Sequence, residues 1–481
     1  MNRREFLKAT ALSTSMLLIS GCLQSAQRKA SKKPNIVFVF GDQWRAKATG
    51  YAGDPNAKTP VLDALEKQSI NFTNAVSGCP VCSPYRASLI TGQYPLTHGV
   101  FLNDVHLADD AVSIAKVYKQ AGYDTGYIGK WHIDGNGRSA FIPRKRRQGF
   151  DFWKVLECTH GYNSSFYYGD EDKKLKWEGY DSIAQTKEAN MYIREHAGGE
   201  KPFMLFVSWG PPHAPYHTAP EKYKNRFNPN DVVLHPNVPD DLIKTAKKDM
   251  AGYYAHIAAL DDCIKDVMDT LEEAGIADNT ILVFTSDHGD MLYSHGMRKK
   301  QKPYEESARV PFLLRYPGAH GDKGRRIDMP INTPDIMPTL LGLCGLKIPD
   351  TVEGTDYSGV IRGREKAIND AALLTCPSPF GQWERRHGGK EYRGIRTRRY
   401  TYTRDLDGPW LLYDNQKDPY QQNNICNKAE YADVQKKLDG ILKRKLKERN
   451  DKFLPGAEYI KKWGWTVNEN GTVPYRLKRK G

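Results

Sequence analysis

The chain has 481 residues, of which 39% are hydrophobic, 11% aromatic and 27% charged. This length allows one large domain with a smaller companion, and the composition excludes a disordered chain, a collagen-like repeat and a multi-pass membrane protein. The formal net charge of +14 indicates a polyanionic partner, which is either nucleic acid or another charged polymer.

Residues 1–22 are predicted to direct export rather than to form part of the fold. Arg3 and Arg4 precede a short apolar run over residues 11–19, which is too short to span a bilayer. This start resembles a twin-arginine signal, and the segment that ends at Cys22 resembles a lipobox, in which that cysteine is lipidated after cleavage. We therefore expect a periplasmic or cell-surface lipoprotein of a bacterium, anchored to the membrane through Cys22. An ordinary cleaved signal is the alternative.

Four short apolar segments rich in β-formers each lead into polar residues that bind metals or transfer protons. Segment 35–40 leads to Asp42 and Gln43, segment 125–128 to Lys130 and His132, segment 203–207 to His213, and segment 280–284 to Asp287 and His288. Helical patterns lie between them, most clearly from Asp249 to Gly275. Alternating strands and helices predict an α/β fold with a large, mostly parallel central sheet and helices on both faces. Because ligands bind beyond the carboxyl ends of such strands, we expect the four polar groups to form one site.

The pattern changes near residue 367. Segments 393–403 and 410–414 have the composition of short antiparallel strands, and a helical pattern follows over residues 431–449. We therefore predict a catalytic domain over residues 33–366 and a smaller C-terminal α+β subdomain, built on an antiparallel sheet, over residues 367–481.

Cys82 opens a segment with the residues of a short helix. Ser83–Pro84 suits the cap and first turn and Gly92 suits the end, so Cys82 is expected at a positively polarised helix N-terminus. Arg86, one turn along, faces back toward the thiol. Such surroundings activate a thiol or stabilise an anion. A disulfide or redox pair with Cys79, and a buried apolar thiol, are the alternatives that these residues leave open.

The segment from Cys82 to Gly92 resembles the signature of type I sulfatases of the alkaline-phosphatase-like superfamily, which is Cys-x-Pro-x-Arg followed by Thr-Gly at this spacing. The resemblance continues through Asp42–Gln43, Gly129–His132, Pro212–His213, Ser286–Gly289, Lys300, Tyr304–Pro311, Leu412–Asp414 and Asp418–Pro419. It implies sulfate ester hydrolysis. It also implies that a formylglycine-generating enzyme, or an anaerobic sulfatase-maturating enzyme, oxidises Cys82 to formylglycine, which displaces the redox interpretation.

A metal site is also implied by the resemblance. Its ligands would be Asp42, Gln43, Asp287, His288 and the modified residue 82, and its ion Ca²⁺, a hard cation that prefers oxygen ligands. The family often has Asp where Gln43 stands and Asn where His288 stands. These departures leave two carboxylate charges beside an imidazole, so Mg²⁺ is the alternative ion.

Six catalytic side chains are implied, namely Cys82, Arg86, Lys130, His132, His213 and Lys300. The cations would stabilise the hydrated formylglycine and neutralise the sulfate oxygens. His132 would remove the diol proton in the release step, and His213 would protonate the leaving oxygen. Lys302 is the alternative to Lys300, and the spacing of four before Tyr304 favours Lys300.

The basic C-terminal end indicates a sulfated polysaccharide or its oligosaccharides as substrate. From Gly440 onward there are twelve Lys or Arg and four Asp or Glu, and no nucleic-acid-binding motif is present. Asn103, Asp104 and Asp134 are candidates for contacts with sugar hydroxyls. Two other functions stay open: a formylglycine-dependent phosphonate monoester or phosphodiester hydrolase, and an inactive glycan-binding surface lipoprotein.

Overall fold

The structure is a computed structural model that describes residues 33–366 and 369–474. The predicted signal over residues 1–22, with Cys22, lies outside the described residues. Among the residues that are described, no helix combines the length and the apolar character needed to cross a membrane.

The strands are β1 (Asn35–Asp42), β2 (Ile70–Phe72), β3 (Ala75–Val76), β4 (Asp124–Lys130), β5 (Phe152–Leu156), β6 (Phe166–Tyr167), β7 (Leu175–Lys176), β8 (Phe203–Pro212), β9 (Thr280–Ser286), β10 (Phe312–Arg315), β11 (Arg325–Ile327), β12 (Ile331–Asn332), β13 (Ala371–Cys376), β14 (Tyr392–Thr397), β15 (Tyr400–Asp405) and β16 (Gly408–Asp414). The α-helices are α1 (Pro60–Glu66), α2 (Cys82–Thr91), α3 (Pro95–His98), α4 (Ile114–Gln120), α5 (Asp181–Ala197), α6 (Glu221–Lys224), α7 (Ile243–Glu273), α8 (Glu305–Ala308), α9 (Pro317–His320), α10 (Ile336–Leu343), α11 (Ser358–Ile361), α12 (Ala432–Glu448) and α13 (Gly456–Trp463).

The central sheet has eight strands in the order β11-β2-β10-β9-β1-β8-β4-β5. Strands β9, β1, β8, β4 and β5 run parallel to one another, whereas β10 is antiparallel to both β9 and β2. The four strands predicted from the sequence are β1, β4, β8 and β9, and they are consecutive in this sheet. The prediction of a mostly parallel central sheet is therefore confirmed.

Strand β1 lies at the centre because its apolar run has no polar face. Ile36, Phe38 and Phe40 pack into one buried cluster, and the alternating Val37 and Val39 pack into another on the opposite face. Helices α2 and α10 contribute to the first cluster and α7 to the second. A strand buried on both faces needs helices on both sides, as the continuous hydrophobic run predicts.

Helix α7 starts six residues before the predicted Asp249, at Ile243, and Gly275 follows its end with φ of +66°. The earlier start adds the buried Ala246, which continues the same face of the helix at four- and three-residue steps before Met250 and Tyr253.

A four-stranded antiparallel sheet, in the order β13-β14-β15-β16, forms the smaller C-terminal part. The single segment 393–403 of the sequence pattern is two strands, β14 and β15, joined by a tight turn. Helix α12 packs on this sheet. At one end the sheet is tied to the body, since the Thr375 amide donates to the Gly78 carbonyl (2.7 Å) and the Tyr392 hydroxyl to the Gln301 carbonyl (3.1 Å).

Candidate active site

The strand ends bring the predicted polar residues together at the carboxyl edge of the central sheet. Gly41 of β1 is in register with Ser286 of β9, so the next residues, Asp42 and Asp287, are neighbours. Lys130 ends β4, which pairs with β8 through Gly129 and Ser208. The positions follow from parallel register, as the sequence predicts.

Helix α2 begins at Cys82, so Ser83 lies within the helix and is not its cap as predicted. The helix has no side-chain cap from its own N-cap residue, Val81. Instead, the Ser83 amide donates to Oδ1 of Asn103 (3.0 Å), so a residue from a separate loop satisfies the helix start. The Cys82 Sγ lies 3.2 Å from His288 Nε2 and 3.8 Å from Asp42 Oδ1.

Cys79 is close to Cys82 in sequence but does not bond to it. Both thiols are free and buried, so the disulfide alternative is wrong. Burial raises the pKa of Cys79 to about 12, which makes it an inert thiol.

Four buried groups form a cluster that can hold a metal ion. One ligand atom from each of Asp42, Cys82, Asp287 and His288 lies within 4.8 Å of the other three. Two carboxylates suit a hard divalent cation, and an oxygen in place of the Cys82 sulfur would suit it better than a thiolate does. The donor set therefore fits the implied cation when residue 82 carries oxygen.

Gln43 lies beside this cluster with its side chain already engaged. Its backbone amide donates to Asp287 Oδ1 (3.0 Å), its side-chain nitrogen donates to Asp290, and its side-chain oxygen accepts from Lys300. Gln43 thus links the acidic centre to Lys300 through a neutral amide.

Three cations surround the acidic centre. Lys130 Nζ donates to Asp42 Oδ2 at 2.6 Å, and Arg86 Nη2 donates to Asp287 Oδ2 at 2.9 Å. Lys300 reaches Gln43, whereas Lys302 donates to the backbone carbonyls of residues 298 and 300. The structure thus places Lys300, and not Lys302, against the cluster.

These charges shift the protonation of the centre. Burial would raise the pKa of Asp42, but Lys130 and neighbouring cations hold it well below its usual value. Burial and the Asp42 charge would raise the pKa of the Cys82 thiol, but Lys130 and Lys300 lower it well below its usual value. Burial and Asp42 raise the pKa of Asp287. The centre therefore favours an anion at position 82.

His132 is oriented by Asp104, which the sequence had assigned to sugar contacts. Its Nε2 lies 3.1 Å from Asp104 Oδ1, and both oxygens of Asp104 accept from Arg138 at 2.8 Å. Nδ1 of His132 is buried without a hydrogen-bond partner. Burial would lower the pKa of His132, but Cys158 and Asp104 raise it to about 10. The carboxylate therefore fixes the tautomer and increases the basicity of the ring.

His213 follows β8 and faces the cations. Its Nδ1 lies 2.7 Å from the Ala214 carbonyl oxygen, which only accepts, so Nδ1 carries a proton and Nε2 is left for another partner. Burial and the charge of Lys300 lower the pKa of His213 well below its usual value.

His160 is a site residue that the sequence pattern did not reveal. Its ring stacks on His213 with 4.4 Å between ring centroids, and burial and Lys130 lower its pKa to about 3. His160 follows β5, the strand that pairs with β4. The end of β5 could have indicated His160, as the other strand ends indicated their polar residues. However, β5 is short and only partly buried, so its sequence does not stand out as a buried strand.

The three predicted sugar-contact residues all bond within the protein. Asn103 caps α2 and Asp104 holds His132 and Arg138. The Asp134 side chain is buried, 3.2 Å from both Arg146 Nε and Asn136 Nδ2, in a group separate from the candidate metal cluster.

A large, mostly parallel sheet with an acidic and cationic centre at its carboxyl edge defines the alkaline-phosphatase-like fold. The solved structure of a putative sulfatase from Bacteroides fragilis has this fold, with a TM-score of 0.80 and 31% identity over 90% of this chain and 99% of that one.

Family models and curated relatives agree with this class. The Sulfatase model matches residues 34–346, and the model for N-sulphoglucosamine sulphohydrolase, C-terminal, matches residues 294–450. An ulvan-active sulfatase from Formosa agariphila is 44% identical, covering 98% of this chain and 94% of that protein. An endo-4-O-sulfatase from Bacteroides thetaiotaomicron is 31% identical, covering 84% and 90%. The chain belongs to the sulfatase family and hydrolyses sulfate esters.

Proposed function

We propose that this enzyme removes sulfate from a sulfated polysaccharide or its oligosaccharides with a formylglycine at position 82. The observation that carries the mechanism is the buried convergence of residue 82 with Asp42, Asp287 and His288. Serine or cysteine at this position would form a sulfated intermediate with no internal route for release. A hydrated aldehyde offers two hydroxyl groups, so that one can attack sulfur and the other can later expel sulfate.

In the first step, a formylglycine hydrate at residue 82 would supply the nucleophile: one hydroxyl gives up its proton to solvent, its oxygen attacks sulfur, and the bond from sulfur to the ester oxygen breaks. His213 supplies a proton to that leaving oxygen through Nε2. An approaching sulfate offsets the charge of Lys300 and so raises the pKa of His213 toward the protonated form. Lys130 and Lys300 neutralise the sulfate oxygens as charge develops.

In the second step, His132 accepts the proton of the remaining hydroxyl, the carbonyl re-forms, and the bond to sulfate breaks. Asp104 holds Nε2 of this ring and leaves Nδ1 to take up the proton. Water then adds to the aldehyde and restores the diol. A bound cation, held by Asp42, Gln43, Asp287, His288 and residue 82, would supply positive charge for the diol and the sulfate; we propose Ca²⁺, with Mg²⁺ as the alternative.

The glycan assignment is supported by the 44% identity to an ulvan-active sulfatase and by the endo-4-O-sulfatase relative. The signal predicted over residues 1–22 would carry the enzyme to the periplasm or cell surface, with Cys22 as its lipid anchor. A maturation enzyme for residue 82 is a further expected partner.

Asp104→Asn tests the role of Asp104 in release. We expect kcat to fall about 10²-fold, the scale of general acid–base catalysis. Because Asp104 raises the pKa of His132, its loss lowers that pKa, and the acid limb of the pH–kcat profile should move to lower pH. Asp109→Asn, at an exposed carboxylate on another histidine, is the matched control. An unchanged profile would count against this role.

Substrate class is tested by sulfate release from defined galactans, fucans, ulvan fragments and glycosaminoglycans. We expect release from a sulfated polymer to weaken as salt rises, chiefly through KM, because exposed charges are screened. An aryl sulfate should respond much less. Activity confined to small aryl sulfates would refute the polysaccharide assignment and leave sulfate ester hydrolysis standing, and faster cleavage of an aryl phosphate would favour the phosphoryl alternative.

A further inference from the structure

A second concentration of positive charge lies in the small C-terminal part. A groove of about 770 Å³ is lined by five cations, Arg398, Arg399, Arg444, Lys445 and Arg449, and by two carboxylates. We call these five residues and the space between them the basic groove. Its volume is within the range of about 300–1,000 Å³ typical of ligand pockets.

The basic groove is distant from the catalytic centre. Strand β13 starts beside it at residue 371 and ends at Cys376, next to Thr375, whose amide bonds to Gly78 near Cys82. Ala371 pairs with Thr397, and Cys376 pairs with Tyr392, so the groove and the catalytic loop lie at opposite ends of the sheet. Five strand steps separate these ends by roughly 17 Å. The groove is therefore a separate site.

Lys445 lies at the floor of the groove, and its ammonium group donates to a neutral partner. It is 6% exposed, and its Nζ donates to the neutral side-chain oxygen of Asn369 at 2.8 Å. Within the described part of the chain, no carboxylate lies within ion-pair distance of this nitrogen. Burial and the charge of Arg449 lower the pKa of Lys445, whereas Asp370, Asp335 and Glu448, none of them at ion-pair distance, raise it. An anion in direct contact with Lys445 and Arg449 would stabilise both cations further.

Arg398 and Arg444 form the exposed lip of the groove. Their side chains are 53% and 55% exposed, and they pair with Asp328 and Asp370, which are 67% and 52% exposed. Ion pairs with this exposure contribute little to stability, because solvent screens both charges. A sulfate group can therefore replace either carboxylate at small cost, whereas Arg399 is held on the buried Asp414 and fixes the wall.

We propose that the basic groove binds a sulfated glycan chain at a site separate from the catalytic centre, with a sulfate on Lys445 and Arg449 and further sulfates on Arg398 and Arg444. The proposal rests on the proposed action on sulfated glycans. A polymer long enough to occupy both sites would be held near residue 82 by its bound segment, which raises its effective concentration there. A short oligosaccharide gains nothing from the groove.

The test uses the full chain with Cys82→Ala, so that no probe is consumed, and dextran sulfate as the probe in affinity electrophoresis. Lys445→Gln should weaken retardation about tenfold, the loss of one charge-assisted contact. Arg444→Gln, at an exposed position, should also weaken it. Lys443→Gln removes the same charge from an exposed position of α12 paired with Asp439, and it should leave retardation unchanged. Unsulfated dextran should not be retarded.

Several outcomes would overturn the proposal. Equal retardation of the Lys445→Gln and Lys443→Gln proteins would exclude the groove as the site. Equal binding of duplex DNA or phosphatidylglycerol vesicles, with the same loss on Lys445→Gln, would exclude a site selective for glycans. In the active enzyme, Lys445→Gln should raise KM for a sulfated polymer and leave turnover of an aryl sulfate unchanged. Turnover of an aryl sulfate and sulfate release from short oligosaccharides do not depend on the groove. If both persist while polymer binding is unaffected by Lys445→Gln, only the groove proposal fails. If oligosaccharides release no sulfate, the proposed function fails.

Discussion

Cys82→Ala is expected to lower sulfate release about 10⁴-fold or more, the scale seen when a covalent nucleophile is removed. The substitution leaves α2 and its Asn103 cap in place, so the melting temperature should stay close to that of the parent. In a host with the maturation enzyme, mass spectrometry should find the peptide containing residue 82 lighter than its cysteine form by the replacement of thiol with aldehyde.

Two neighbouring substitutions sharpen this test. Cys82→Ser retains one oxygen but lacks the second hydroxyl, so it should release the alcohol once and then stop with sulfate attached. Cys79→Ala removes a buried, inert thiol three residues away and should keep its activity. Full turnover by a protein whose residue 82 is still cysteine would refute the formylglycine mechanism.

Chelation is expected to remove activity, and Ca²⁺ to restore it best. Asp287→Ala should lower activity about 10²-fold or more, and Gln43→Ala less, on the scale of about tenfold for a residue that orients the site. The reason is charge: Asp287 contributes a carboxylate to the cluster, whereas the neutral Gln43 amide is already bonded to Lys300 and Asp290.

Melting temperature gives a readout independent of turnover. Added Ca²⁺ should raise it for the parent protein and not for Asp287→Ala, because a ligand that binds only the folded state stabilises that state. Asp261→Asn is the matched control, since Asp261 is a buried carboxylate that accepts from the Val61 and Leu62 amides at the start of α1. That variant should be less stable yet keep its response to Ca²⁺. The same response in Asp287→Ala would contradict the metal site.

The sequence predicted the strands and the centre because their causes are local. A continuous apolar run specifies a strand buried on both faces, and parallel register then aligns Asp42 with Asp287 without any knowledge of loops. The orientation of His132 could not be predicted in the same way. It depends on Asp104, 28 residues away, and both residues adopt positive φ, +62° and +63°. Such left-handed backbone at non-glycine residues is stabilised by surrounding contacts rather than by local propensity.

Burial of Cys82 also constrains when the proposed modification could take place. The residue is 2% exposed, at the start of a helix whose ten residues are all buried and whose first turn is capped by Asn103. Another enzyme cannot place its own catalytic groups around a side chain enclosed in this way. On the proposed mechanism, oxidation of Cys82 would therefore have to precede the closure of α2 against the sheet, so the modification would come before the fold that uses it.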